Sequence, residues 1–203
     1  MEQSKEGQIF SERATLLQKI KKNMSEKRFN HVLGVEETAV ALAKRFQGDL
    51  LKARIAALVH DYAKERSDEE FRQIIRTQNF DLELLNWNNA IWHGVVGTYF
   101  IEKELGISDK EILQAVAYHT TGAAKMSLLD KIIYVADYIE PGRDFPGVNE
   151  ARQLAEIDLD QAVAFATKQT LKHLIEKEQV IYPKTIETYN RWVAKFQGGD
   201  SHR

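Results

Sequence analysis

Cysteine is absent from the 203 residues, which excludes disulfides, thiolate metal sites and cysteine nucleophiles. Any metal this chain holds is bound by nitrogen and oxygen. Proline is scarce, at positions 141, 146 and 183 only, so long stretches are free to run as helix. No apolar run reaches the roughly 18 residues that a membrane-spanning helix needs, and Met1 to Gln8 lack the hydrophobic centre of a secretion signal. A cytoplasmic protein without a membrane partner is expected. Positive charge is not in excess either: 28 Lys and Arg stand against 30 Asp and Glu, a formal charge of −2. That balance argues against a nucleic-acid partner and leaves room only for a local basic pocket. Internal repeats and low-complexity tracts are also missing.

What is present is an ordinary globular composition, 43% hydrophobic and 29% charged. The length suits one domain over residues 1–203, ordered from about 10 to 197 with flexible ends at 1–8 and 198–203. Helical periodicity dominates, and the expected fold is an all-α helical bundle with a metal site in its core. A first helix starts after Ser11, with Leu16, Leu17 and Ile20 on its apolar face. A longer one follows Ser25, turning Phe29, Val32, Val40, Ala43 and Phe46 inward, and Asp49 opens a third. Ser67 to Glu70 and Ser108 to Glu111 both read as capping boxes. Further helices are expected over 90–105, up to a stop at Gly122, and over 126–140, 158–178 and 184–197. Two stretches read as loops, the aromatic and polar Asn79 to Asn89 and the Pro/Gly-rich Pro141 to Gly147.

The most telling pair is His60-Asp61, at the end of the apolar run Ala56-Ala57-Leu58-Val59. Polar heads emerging from a buried segment must be satisfied, and a divalent cation suits an imidazole beside a carboxylate. One histidine alone would more often bond a backbone carbonyl. The case rests on the set His31, His60, Asp61, His93, His119 and Asp137, each on a helix or at its end. Four of these, His31, His60, Asp61 and Asp137, come from three helices that a bundle can bring together. Both His60 and Asp61 reach one ion if the helix end loosens there. His173 reads as a helix-surface residue, and His202 lies in the tail.

The order of these residues resembles the HD-domain metal-dependent phosphohydrolases, an all-α superfamily. Longer runs carry a closer likeness: Arg28-Phe29-Asn30-His31, Leu58-Val59-His60-Asp61-Tyr62-Ala63-Lys64, Trp92-His93-Gly94, Tyr118-His119-Thr120-Thr121-Gly122 and Ala136-Asp137-Tyr138-Ile139-Glu140-Pro141-Gly142-Arg143. Together they look like the YqeK-type symmetrical bis(5′-nucleosyl)-tetraphosphatases of bacteria, over roughly residues 13 to 195. The resemblance implies hydrolysis of diadenosine tetraphosphate to two ADP at an iron-type centre, with manganese, cobalt, nickel or zinc as alternatives. It implies His31, His60, Asp61 and Asp137 as metal ligands.

The residues suit that chemistry. Phosphoanhydride hydrolysis needs an activated water, neutralised phosphate charge and a leaving-group acid. Asp61 can orient the water. Arg28 lies one turn before His31, Lys64 one turn after His60, and Arg143 in the Pro/Gly loop, so all three are candidate phosphate ligands. Thr120 and Asp137 join the nucleotide-binding set. His93 and His119 remain open between a second metal bridged by Asp61, phosphate contacts and general-acid catalysis, with one metal the expected number. Gly94 and Gly97 let a substrate or a neighbouring helix approach closely. Alternative functions are a nucleoside monophosphatase, a cyclic-nucleotide phosphodiesterase or a non-catalytic nucleotide-binding regulator; the three cations favour a polyphosphate. A homodimer is left open.

Overall fold

The computed structural model describes residues 13–197, apart from the side chains of 194–197. The expected ends at 1–8 and 198–203, and the start of the first helix, lie outside it. Among the described residues there is no strand. The helices are α1 (13–21), α2 (Glu26–Arg45), α3 (Leu50–Val59), α4 (Asp68–Thr77), α5 (Asn89–Val95), α6 (Gly97–Phe100), α7 (Lys110–Tyr118), α8 (Leu128–Ile139), α9 (Val148–Ile157), α10 (Leu159–Glu176) and α11 (Pro183–Gln197). Helix α2 lies against α3 and α8, α8 against α7 and α10, and α10 against α9 and α11. Their buried faces form one cluster with Val32, Val35, Leu58, Phe71, Trp92, Ile132 and Ile133 inside.

Caps set most boundaries. The Ser25, Asp49 and Ser67 side chains accept backbone N–H bonds at the starts of α2, α3 and α4, and Ser67 with Glu70 closes a capping box. The box expected at Ser108 does not form: Asp109 is the cap, accepting from Glu111 and Ile112. A carboxylate one residue later takes the Glu111 N–H that Ser108 would have capped, and the Ile112 N–H with it. An unforeseen box instead joins Ser127 and Asp130 at α8.

One expected helix is broken, and one helix is unforeseen. The helix over 90–105 is broken into α5, α6 and a π turn at Ile101–Leu105. Tyr99 N–H bonds back only three residues, to Val96, beside a glycine whose Cβ would sit 3.3 Å from that of Ala63. Helix α9 has no side-chain cap, starting after Gly147 at φ 93°, and buries only Val148, Ala151 and Ala155. Small residues give a weak apolar stripe, so its periodicity goes unseen. The segment 79–89 holds a short 3₁₀ turn at Leu82–Asn86, and 141–147 is the expected loop.

Gly122 ends the α7 region as expected, with φ 64° and its N–H bonded to the Tyr118 carbonyl. A Cβ there would meet Thr188 Cγ2 at 2.5 Å, and the Thr188 hydroxyl donates to Thr121 O. Gly122→Ala therefore combines left-handed strain with a clash that pushes α11 off α7. We expect a loss of roughly 2 kcal/mol, measured by urea unfolding; an unchanged midpoint would contradict this packing.

Candidate metal centre

Each histidine is placed by a helix end or a close backbone approach. Helix α3 stops at Val59, and turns follow through residue 65. The loosened end lets His60 and Asp61 turn toward the same point. The last carbonyls of a helix lack intrahelical partners. Two of them are used here: His60 Nδ1–H donates to Ala57 O at 2.6 Å, and His119 Nδ1–H to Val116 O at 2.7 Å. His93 Nδ1–H donates to Asn89 O at 2.6 Å. In the neutral ring each of these bonds leaves Nε2 with a bare lone pair. Gly94 makes the meeting possible, because a Cβ there would sit 3.2 Å from Val116 O and 3.5 Å from His119 Cε1. The close approach is that of a neighbouring helix, one of the two readings of this glycine.

The imidazoles surround Asp61, which is buried. Its Oδ2 lies 3.6 Å from His31 Nε2 and 3.5 Å from His60 Nε2. Asp137 Oδ1 closes this group, 3.0 Å from His31 Nε2 and 3.8 Å from His60 Nε2. The other oxygen, Oδ1, lies 3.5 Å from His93 Nε2 and 3.7 Å from His119 Nε2, which are themselves 3.0 Å apart. Donors bonded to one ion at about 2.1 Å stand roughly 3.0–3.4 Å from one another. The ligand atoms of His31, His60 and Asp61, of His60, His119 and Asp137, and of Asp61, His93 and His119 fall within 4.8 Å of one another in each group. The donor set therefore fits a divalent cation, and lone pairs facing a carboxylate without a proton between them are unfavourable otherwise.

Burial and the neighbouring groups shift the protonation of this set in both directions. Burial alone raises the Asp61 and Asp137 carboxyls, but the imidazoles around Asp61 and the His31 hydrogen bond to Asp137 hold both below the usual range. Burial lowers His93 to about 3 and His119 to about 4. Both are neutral near pH 7, as ligands must be. His31 is raised: burial pulls it down, and hydrogen bonds to Asp137 and Glu140 more than offset that.

The cations divide into two kinds. Arg28 Nη1 pairs with Asp61 Oδ2, and Arg143 Nη2 with Asp137 Oδ1 at 2.6 Å, while Arg143 Nε donates to Asp137 O. Lys64 has no carboxylate in ion-pair range among the described residues; its Nζ lies 3.3 Å from the His93 ring, and burial lowers its pKa. The Thr120 hydroxyl is 3.1 Å from His93 Nε2 and 3.0 Å from His119 Nε2. Every sequence-derived site residue except His31 and His60 lines one cavity of about 300 Å³, with Tyr134, Tyr138 and Thr170; His31 and His60 stand behind it.

Glu140 is the residue that sequence reasoning passed over. It is buried at the end of α8, and His31 Nδ1 donates to its Oε1 at 3.1 Å. Its other oxygen accepts from Gly142 N–H. Gly34, one turn past His31, makes room for it, since a Cβ there would lie 2.6 Å from Glu140 Oε2. This carboxylate aims His31 Nε2 at the centre, as backbone carbonyls do for the other three rings. The 109 positions separating Glu140 from His31 hide the pairing; the mid-helix Gly34 was its one visible trace.

The HD domain model matches residues 28–142, a span holding every candidate metal ligand and Glu140. A symmetrical bis(5′-nucleosyl)-tetraphosphatase from Bacillus subtilis is 49% identical over 84% of this chain and 92% of its own length. One of the same description from Staphylococcus aureus is 41% identical over 84% and 89%. The crystal structure of a "predicted HD superfamily hydrolase involved in NAD metabolism" from Clostridium acetobutylicum matches with TM-score 0.85 at 41% identity, covering 90% of this chain and 97% of that one.

Glu140→Ala should weaken metal binding by about 10- to 100-fold, read from cobalt(II) absorption titrations, and Glu140→Gln, which keeps an acceptor for His31, should recover most of it. Equal losses in both variants, or none, would contradict the positioning role. By its matched domain, its relatives and its structure, the chain belongs to the HD-domain family, among the symmetrical bis(5′-nucleosyl)-tetraphosphatases.

Proposed function

We propose that the chain hydrolyses diadenosine tetraphosphate symmetrically, giving two ADP. The observation that carries this is 41–49% identity to symmetrical tetraphosphatases over most of both chains, joined to a cation-fitting cluster beside a cationic cavity. The enzyme is a metal-dependent hydrolase. A bound divalent cation supplies an acidified water and a Lewis acid for phosphate oxygen.

His31, His60, Asp61 and Asp137 are the ligands in this reading, and iron is the proposed metal, since an all-nitrogen-and-oxygen set suits it. Asp61, reaching both halves of the cluster, orients the attacking water. Lys64 meets the phosphate chain directly. Arg28 and Arg143, held by Asp61 and Asp137, add charge at fixed positions, where a bound nucleotide has no side-chain ordering left to impose. Thr120 is an additional hydroxyl donor.

For His93 and His119 the fixed tautomers support cation ligation over proton donation. Each spends its Nδ1 hydrogen on a carbonyl, and so offers Nε2 as an acceptor. With Asp61 Oδ1 they form a second donor set, and this favours a second cation beyond the single one expected from sequence. The departing ADP leaves as a phosphate anion, which Lys64 and the arginines stabilise without an obligatory proton donor.

The test is incubation of the iron-loaded protein with diadenosine tetraphosphate in ¹⁸O-water, with products separated by chromatography. Two ADP per turnover, one carrying a single ¹⁸O, is the expected result. Equal ATP and AMP would reject the symmetric cut, and no cleavage would favour a nucleotide-binding regulator.

A further inference from the structure

The end of α8 is fastened by a side chain from the next helix. Within α8 and its own loop, Ala136 O accepts from Glu140 N–H, and Asp137 O from Arg143 Nε. The carbonyls beyond them are taken by Arg152, on α9. Its Nε donates to Ile139 O at 3.0 Å. Its Nη2 donates to Glu140 O at 2.9 Å and to Arg143 O at 3.0 Å. Its Nη1 donates to Asn149 Oδ1 at 2.9 Å, one turn back on α9.

This guanidinium is half-buried, and no carboxylate stands in ion-pair range of it among the described residues. Its donors are spent on the backbone instead. A cation is favoured at a helix C-terminus, where unpaired carbonyls gather negative charge, and a rigid planar fork can hold three carbonyls at once where an ammonium cannot. The anchor is firm on its own side. Helix α9 buries Val148, Ala151 and Ala155 and lies against both α8 and α10. Two of the three residues held this way send their side chains to the metal centre: Glu140 to His31 Nδ1, and Arg143 to Asp137 Oδ1. Glu140 is also where the chain leaves the helix, at φ −50° and ψ 156°. A rotation there would swing its carboxylate away from His31.

We infer that Arg152 is a positioning residue of the metal centre, holding the Glu140 backbone where the Glu140 carboxylate aims His31 at the cation. Its hydrogen bonds go to backbone carbonyls and to Asn149, so it acts on the centre through Glu140 and not by touching a donor atom. This gives α9, the helix without a sequence signature, a task beyond covering α8 and α10. The inference rests on the cluster being a cation site, and is independent of which phosphate bond is cut.

The test is a double-mutant cycle on the whole chain, read by cobalt(II) absorption titration at fixed pH. Arg152→Ala should weaken cobalt binding about tenfold. In a Glu140→Ala background the same substitution should weaken it by no more than about twofold, because the carboxylate that Arg152 seats is already gone. A side chain that merely ties α9 to α8 would cost the same factor in both backgrounds. Arg152→Lys keeps the charge and loses the fork; it should show a smaller loss with the same dependence on Glu140, and it decides the matter if the alanine variant does not fold. Equal losses in the two backgrounds, or wild-type cobalt affinity without Arg152, would overturn the inference. No cobalt binding by the unsubstituted chain would reject the cation site and this inference together. Cobalt binding with the expected cycle, in a protein that leaves diadenosine tetraphosphate intact, would reject the activity and keep the inference.

Discussion

Asp61 is a buried carboxylate whose two oxygens each face a pair of imidazole nitrogens at 3.5–3.7 Å. Those distances are too long for hydrogen bonds and suited to donors sharing an ion. Much of the local structure serves this arrangement. Helix α3 must end at Val59 so that consecutive residues turn to one point. Helix α5 must touch the end of α7, which requires Gly94. Helix α8 must deliver Asp137 and then stop, so that Glu140 reaches back to His31. A buried set of this kind is costly when half satisfied, and the cost is met by a cation rather than by packing.

In the proposed function the same residues serve both metal and substrate. Three ordinary carbonyls and one carboxylate fix the four rings, so the first layer of donors is set by the backbone before any ligand arrives. Arg28 and Arg143 are each tied to a metal-facing carboxylate. They brace the ligands while presenting charge to the cavity, a dual use that free surface lysines would not permit. Lys64 differs, because burial lowers its pKa and no carboxylate among the described residues offsets this by contact. It is the cation with most to gain from a phosphate.

Much of this was legible in the sequence because it rests on local signals. An apolar stripe gave α2, the Gly122 stop gave the end of the α7 region, and capping side chains gave the starts of α3 and α4. The adjacency of His60 and Asp61 flagged the centre, and the wider motifs identified the family. What escaped detection has no local signature. Helix α9 buries alanines and lacks a capping side chain. The break between α5 and α6 reflects packing of Gly97 on Ala63, a contact made only in the folded chain. The tautomers depend on which helix carbonyls are left free, and Glu140 finds His31 across 109 positions. Ser108 is not the cap because its neighbour Asp109 takes the Glu111 N–H with a carboxylate and starts the helix one residue later.

The claim at the centre of this account is that the imidazoles and carboxylates around Asp61 are a cation site. Anomalous diffraction from crystals of the iron-loaded protein, collected on both sides of the iron absorption edge, tests it most directly. The account predicts an edge-dependent peak about 2.1 Å from His31 Nε2, His60 Nε2, Asp61 Oδ2 and Asp137 Oδ1, and a second between Asp61 Oδ1, His93 and His119 when iron is in excess. Iron-loaded crystals with no peak inside this cluster would contradict it.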